Sequence, residues 1–539
     1  MHLLDQHAKA IMEECKVRAR NAGLDFDHET LEYIVSNKDM LELSPKVMIP
    51  TLYDYWVNDV EVLKEYGKYK LYPTNPYETV INSRPAISFY NDNNPDWMNI
   101  MIFYHVIGHI DFFQNNRLFE HTWNDDFVGV ALADKRLIES YRSRYGRWTD
   151  YVVEFARSID NITGYFQTLA RMNYDGHLEP SSMLNFYFNT FLPDHLKEDE
   201  FHIFKEQQRY NTLFDSNPKM AESTFFAQVK SRHPEFESAY KNAADKAPPA
   251  TDLLEFLIDH SPFLKQEKNR WMKSVMTVIR NTALYFAPQM RTKIVNEGWA
   301  SYWHDKLFRG DNRIIGHEVA YSALNAGVTS LSRVGLNPYA IGLRLLEYVE
   351  ELADKGKMSR EYQKLILADE KEAFDKKTGN GQEAIYKVRE KFSDFMLINT
   401  FVNQEFVDRH NLFVTGKRPN PEKGVIEYYV KSRKAEDYKK MLIDSLYHPP
   451  VIRADVNKTT NDSLYLVHAF EGKQLIKDFI PEVLIGLNFL WGDEVKLETT
   501  EIMVNQKAET EKEMYSLQKV LYACKDKKVT KSKVEENAA

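Results

Sequence analysis

Apolar residues recur at helical spacing over most of this chain and alternate at strand spacing only near its two ends. The pattern predicts a mainly α protein with a smaller α+β part. A first helix over Leu3 to Ala22 stops at Gly23, and an aromatic stretch punctuated by Pro50, Pro73, Pro76 and Pro85 follows. Tyr77 to Ser88 has the β-branched and aromatic content of a strand or hairpin. Asn94 and Pro95 are placed to cap and open a helix that runs to Asn116. Trp123 to Met172 reads as helices broken near Gly146, and Lys246-Ala-Pro-Pro-Ala250 as a linker. Asp252 and Ser261-Pro262 each open a helix, Pro288 and Gly310 bracket another, and Asn337-Pro338 caps one that continues to Ala353. The Lys- and Glu-dense helices of Met358 to Met396 form a solvated face. Strands at 451–456 and 463–470, a helix at 475–490 and a strand at 494–499 make a small β-β-α-β module. The expected divisions are a mixed region over 1–94, a helical core over 95–440, the module over 441–506 and a charged, fraying tail over 507–539.

The helix after Pro95 carries the chemistry. At about 100° per residue, Met98, Met101, Ile102, His105, His109, Phe112 and Asn116 share one face. Histidines at i and i+4 can hold one ion, as in the H-E-x-x-H zinc motif, but Val106 stands where that motif has its glutamate base. Gly108 costs a helix roughly 1 kcal/mol against alanine and marks the close approach of another element. Asp111 lies off the histidine face, placed as a partner rather than a ligand.

A third ligand must come from elsewhere, and Asn296 to His304 supplies it. Glu297, Ser301 and His304 fall on one face, while Ala300 and Ser301 leave room for a neighbouring helix. The arrangement resembles helical zinc hydrolases of the gluzincin kind, so the expectation is a zincin-like region with a divalent metal, zinc first, on His105, His109 and Glu297. His304, Asp111 and Glu154 are the expected proton handlers; Asn116, Arg280 and Tyr302 are the expected substrate contacts. Glu154 would be the first addition to a dinuclear centre, and Glu78 and Asn82 serve either the site or a turn. The competing account is a pair of hydrogen-bonded core histidines.

Composition narrows the setting. With 539 residues there is ample chain for a core, and a net charge of −9 gives no electrostatic reason to expect nucleic acid or an anionic membrane as main partner. Two cysteines far apart fit a reducing compartment. The charged first 24 residues do not read as a signal peptide, and no segment has the length of a membrane span, so a cytoplasmic protein without membrane insertion is expected. No internal repeat, phosphate loop or nucleophile elbow stands out.

Several strings together resemble the SpoVR-like family, named for stage V sporulation protein R. They are Tyr77-Glu78-Thr-Val-Ile-Asn82-Ser, His105 to Asn116, Tyr285-Phe-Ala-Pro-Gln289, Thr292 to Ala300, Asn337-Pro-Tyr-Ala-Ile-Gly342, Leu490-Trp-Gly492 and Leu497-Glu-Thr499. The resemblance runs from about residue 20 to about residue 500. It implies a sporulation, stress or envelope-related role and the company of a PrkA-type serine kinase and a von Willebrand factor type protein, without implying a reaction. The expected function is therefore metal-dependent hydrolysis of a peptide, amide or peptidoglycan-precursor bond. A non-enzymatic scaffold or regulatory partner of the kinase, and a dinuclear metal redox enzyme, are the alternatives.

Overall fold

A computed structural model describes residues 2–36, 39, 78–120, 122, 127–160, 182–196, 198, 200–244, 252–420, 424–504 and 515–534. Tyr77, Trp123 and the linker expected at 246–250 lie outside the described residues. The chain divides into two compact units, Met1–Tyr165 with Asp252–Ala539, and Phe166–Thr251.

In the larger unit, strands β1 (His2–Leu3), β2 (Thr30–Val35), β3 (Glu78–Ile81) and β4 (Ala86–Asn91) form a sheet of order β1-β2-β4-β3. Only β2 and β4 run parallel. The expected hairpin is thus β3 and β4, with Glu78 opposite Tyr90. Helix α1 (Gln6–Asn21) is capped by Asp5, whose side chain accepts from the Ala8 amide, and the chain turns at Gly23 with φ +106°. Lys16, fully buried, ties α1 to β2 through Glu32 at 2.9 Å.

Helix α2 (Asp96–Asn115) is buried continuously from Ile100 to Phe113. It is buried all round rather than on one face, with His105, His109 and Asp111 as polar residues within an otherwise apolar run. It begins one residue later than expected, because Pro95 is extended (ψ 157°) and takes the N-cap position. Further on come α3 (Arg147–Arg157), α4 (Arg270–Arg291), α5 (Lys293–Arg309), α6 (Glu318–Val328), α7 (Pro338–Asp354), α8 (Gly381–Lys391) and α9 (Asp394–Phe401). Asn337 caps α7 as expected, accepting from the Tyr339 and Ala340 amides. Pro288 does not open the Glu297 helix; it lies inside α4, and the break comes at Thr292. The first amides beyond that break, which lack an intrahelical acceptor, are taken by a residue far away in sequence: Asp394 accepts from Ile294 N at 3.0 Å and Val295 N at 2.9 Å.

Asp394 gives a stability prediction. Burial pushes its carboxyl up to about 7, against the pull of the Ile294 and Val295 amides. A folded-state pKa above the unfolded value stabilises fully below about pH 4 and loses that contribution as pH rises through about 7. The advantage of the wild type over Asp394→Asn is therefore expected to shrink between pH 4 and pH 7 in urea titrations. An advantage that grows over that range would show a depressed carboxyl instead.

The expected C-terminal module is present but larger. After the hairpin β5 (Val414–Asn420) and β6 (Val425–Ser432) come β7 (Ile452–Ala454), β8 (Ser463–His468), α10 (Ile480–Trp491) and β9 (Glu494–Val504). To these are added β10 (Tyr515–Lys525) and β11 (Lys528–Lys533), giving the order β11-β10-β9-β8-β7. Within the charged segment expected as a tail, the described residues 515–533 form strands, and Val520, Tyr522 and Cys524 alternate into the core. The lysines of β11 suit an edge strand.

The smaller unit packs helices Glu200–Ser216, Pro218–Arg232 and Phe236–Ala244 around Tyr187, Phe191, Phe225 and Phe236. Among the described residues no helix is long and apolar enough to cross a membrane.

Candidate metal centre

Helix α5 packs against both α2 and α7, and glycine sets both approaches. A Cβ on Gly108 would lie 2.9 Å from Ala300 Cα, and one on Gly298 would lie 2.6 Å from Gly342 Cα. The small residues noted in the sequence thus face each other, and the backbones come close enough for short polar side chains to converge.

Three of them do. His105 Nε2 and His109 Nε2 are 3.1 Å apart, and Glu297 Oε2 lies 3.8 Å from the first and 3.5 Å from the second. Two donors each about 2.05 Å from a tetrahedral ion stand roughly 3.3 Å apart, so the spacing fits a single divalent cation. Both histidines are buried, the Glu297 side chain is 16% exposed, and its Oε2 is a buried acceptor without a hydrogen-bond partner among the described residues. An orphaned anionic oxygen facing two imidazole nitrogens suits a cation.

Electrostatics follow from crowding in a dry place. Burial favours the neutral His105 ring, but the facing Glu297 carboxylate and the charge of Glu78 outweigh it and raise the group. His109 is pushed down to about 4 by burial and by the neighbouring His105. Burial opposes ionisation of Glu297, yet the two histidines hold its carboxyl below the usual range.

The other expected site residues divide. His304 joins the cluster, its Nδ1 3.0 Å from His105 Nδ1. Asp111 is not brought into it: its carboxylate accepts from Asp25 N, Trp299 Nε1 and Arg389. Glu154 faces solvent, 62% exposed and 3.6 Å from Arg157, because α3 turns its apolar side inward and leaves this residue outside. It is therefore removed from the proton handlers and from any dinuclear centre. Asn116 caps the turn after α2 and donates to the Arg389 and Phe392 carbonyls. Arg280 pairs with Asp252 at 2.9 Å. Tyr302 donates to Glu350 and lines a 350 Å³ surface pocket with Asp305 and Lys306.

Two groups not assigned a site role by spacing stand beside the cluster. Tyr339, second residue of α7, stacks on His105 with ring centroids 6.0 Å apart. Its phenol is pushed well up by burial and then by the charges of Glu297 and Glu78. Glu78, at the start of β3, is raised by burial, with His105 opposing and Glu297 adding to the shift. Glu78 stood in the sequence as either a site or a turn residue, whereas for Tyr339 the string shared with a family was the one signal, since it lies on no patterned helical face with the histidines.

Comparison with known proteins completes the description. The family described as SpoVR like protein matches residues 4–448. The uncharacterized protein YcgB of Escherichia coli (strain K12) is 23% identical over 496 residues, covering 86% of this chain and 86% of that protein. No solved structure matches.

Proposed function

This chain belongs to the SpoVR-like family, and from that premise we propose that it is a metal-dependent hydrolase of a peptide or amide bond, including bonds of the kind found in peptidoglycan precursors. The carrying observation is the convergence of His105, His109 and Glu297 around an orphaned carboxylate oxygen. A divalent ion there, zinc first, supplies Lewis-acid polarisation and water acidified towards neutral pH. The chain's own residues do the rest. Glu78 takes the part that Val106 leaves open: a carboxyl whose burial raises its proton affinity receives the proton of the attacking water and returns it to the leaving amine. Tyr339, kept protonated, donates a hydrogen bond to the oxygen on which negative charge develops. Val106, fully buried, then needs no chemical role. The reading includes a cytoplasmic site of action and association with a PrkA-type kinase and a von Willebrand factor type protein.

Elemental analysis of untagged protein tests the centre. About one ion per chain is expected in wild type and none in folded His105→Ala or Glu297→Ala. Glu78→Gln is expected to keep the metal and to lose at least about 10²-fold in turnover of peptide or amide substrates. Wild type that takes up no ion, even after reconstitution, would leave the histidines as hydrogen-bonded core residues.

A further inference from the structure

We propose that His304 is a positioning residue, and that Asn325 and Asp305 hold it in the one tautomer that leaves His105 ready to receive a cation. The proposal rests on the metal-centre reading above. Its basis is an unbroken row of polar contacts. Asn296 Oδ1 meets His109 Nδ1 at 2.9 Å, and His109 Nε2 meets His105 Nε2 at 3.1 Å. His105 Nδ1 meets His304 Nδ1 at 3.0 Å, and His304 Nε2 meets Asn325 Oδ1 at 3.0 Å. Asn325 Nδ2 then donates to Asp305 Oδ1 at 3.2 Å.

Protons can be assigned from the far end of this row. A carboxylate only accepts, so the Asn325 amide must turn its nitrogen to Asp305 and its oxygen to His304. Tyr321 and Arg309 also donate to Asp305, at 2.5 and 2.9 Å, and keep that carboxylate in place. His304 Nε2 therefore carries hydrogen. In a neutral ring its Nδ1 is then a bare acceptor, so His105 Nδ1 carries hydrogen and His105 Nε2 does not. At the other end, the Asn296 oxygen places hydrogen on His109 Nδ1 and leaves His109 Nε2 bare. Two lone pairs and the orphaned Glu297 Oε2 now face one point.

Counting gives the same result. Four contacts involve the three rings, and three neutral imidazoles carry three hydrogens. With Asn296 presenting its oxygen to His109, all four contacts are satisfied only by a fourth proton or by a cation standing between the two Nε2 atoms. Asn325 and Asp305, one and two links beyond His304, thus set the ligand state of His105. An imidazole whose hydrogen-bond partner fixes its tautomer is a better ligand, and loss of that partner typically costs 10- to 100-fold in affinity.

Zinc affinity of the full chain, measured by competition with a chromophoric chelator, tests this. Asn325→Leu removes the acceptor and is expected to weaken zinc binding by roughly 10- to 100-fold. Asn325→Asp combined with Asp305→Asn exchanges amide and carboxylate, so position 325 still accepts from His304 while position 305 supplies the amide donor. Affinity within about threefold of wild type, well short of the 10- to 100-fold step of a lost partner, is expected for that pair. Ring ¹⁵N shifts should show His304 protonated at Nε2 in wild type and a mixture in Asn325→Leu. Zinc bound equally tightly by wild type and Asn325→Leu overturns the inference and leaves the metal centre standing. Wild type that binds no zinc overturns the centre itself, and His304 protonated at Nδ1 overturns the inference in either case.

Discussion

Gly298→Ala is expected to destabilise the protein by about 3 kcal/mol or more and to abolish metal retention in whatever fraction stays folded. The added methyl would lie 2.6 Å from Gly342 Cα and 2.7 Å from the Gly342 carbonyl oxygen. Both are backbone atoms of α7, so no side-chain rotation can relieve the overlap and the helices must part. Glu297 is the adjacent residue on one helix, and Tyr339 lies one turn from Gly342 on the other. Separation of α5 from α7 therefore moves a ligand and removes the phenol from its place over His105. Gly342→Ala should behave alike, its methyl lying 2.8 Å from Gly298 Cα. Gly327 in α6 is the control, since a Cβ there meets nothing within 4 Å among the described residues. Alanine at that position should be neutral or stabilising by up to about 1 kcal/mol through helix propensity. Thermal melts with metal analysis of the same samples decide the matter; equal behaviour of Gly298→Ala and Gly327→Ala would show that α5 and α7 do not cross this closely.

What could be read from the sequence was what depends on local spacing. His105 and His109 share a face because four residues are about one helical turn, Glu297 and His304 share one because seven are about two, and Gly108 announced a neighbouring backbone because glycine is costly in a helix. These inferences need only the helix, and the helices are present. What was missed depends on which distant segment arrives. Asp394 caps α5 from 99 and 100 residues away, and no local pattern at Thr292 could name it. Arg280 looked available for a substrate until Asp252, 28 residues earlier, was found beside it. Tyr339 reaches the cluster from a helix whose own periodicity points to the core and no further, and for Glu78 the strand pattern left site and turn both open. Strand β10 was hidden for another reason: Lys519 and Lys525 flank its alternating Val520, Tyr522 and Cys524, so composition suggested a tail where pattern supported a strand.

Asp111 is where a local reading met a long-range constraint, and it carries the second large effect. Its carboxylate, wholly buried, accepts from Asp25 N at 2.7 Å, from Trp299 Nε1 at 2.8 Å and from Arg389 at 2.8 Å. Those donors belong to the segment after α1, to α5 and to α8, so one side chain of α2 fixes three neighbours. Trp299 lies two residues beyond Glu297, and the Arg389 guanidinium sits over the Trp299 ring at 5.6 Å. The bracing therefore sets the register of the two ligand-bearing helices. Asp111→Ala leaves Arg389, only 11% exposed, as an uncompensated charge and leaves the indole N–H unpaired. The expected cost is about 3–5 kcal/mol, the range for breaking a buried pair from one side. Removing both charges should cost less than removing one, because Asp111→Leu with Arg389→Leu buries no lone ion. Urea unfolding of the single and double variants measures the difference. If the double variant lost as much as the sum of the singles, the pair would be acting as two independent packing residues, and the register of α2 against α5 would have to be set by the Gly108 contact alone.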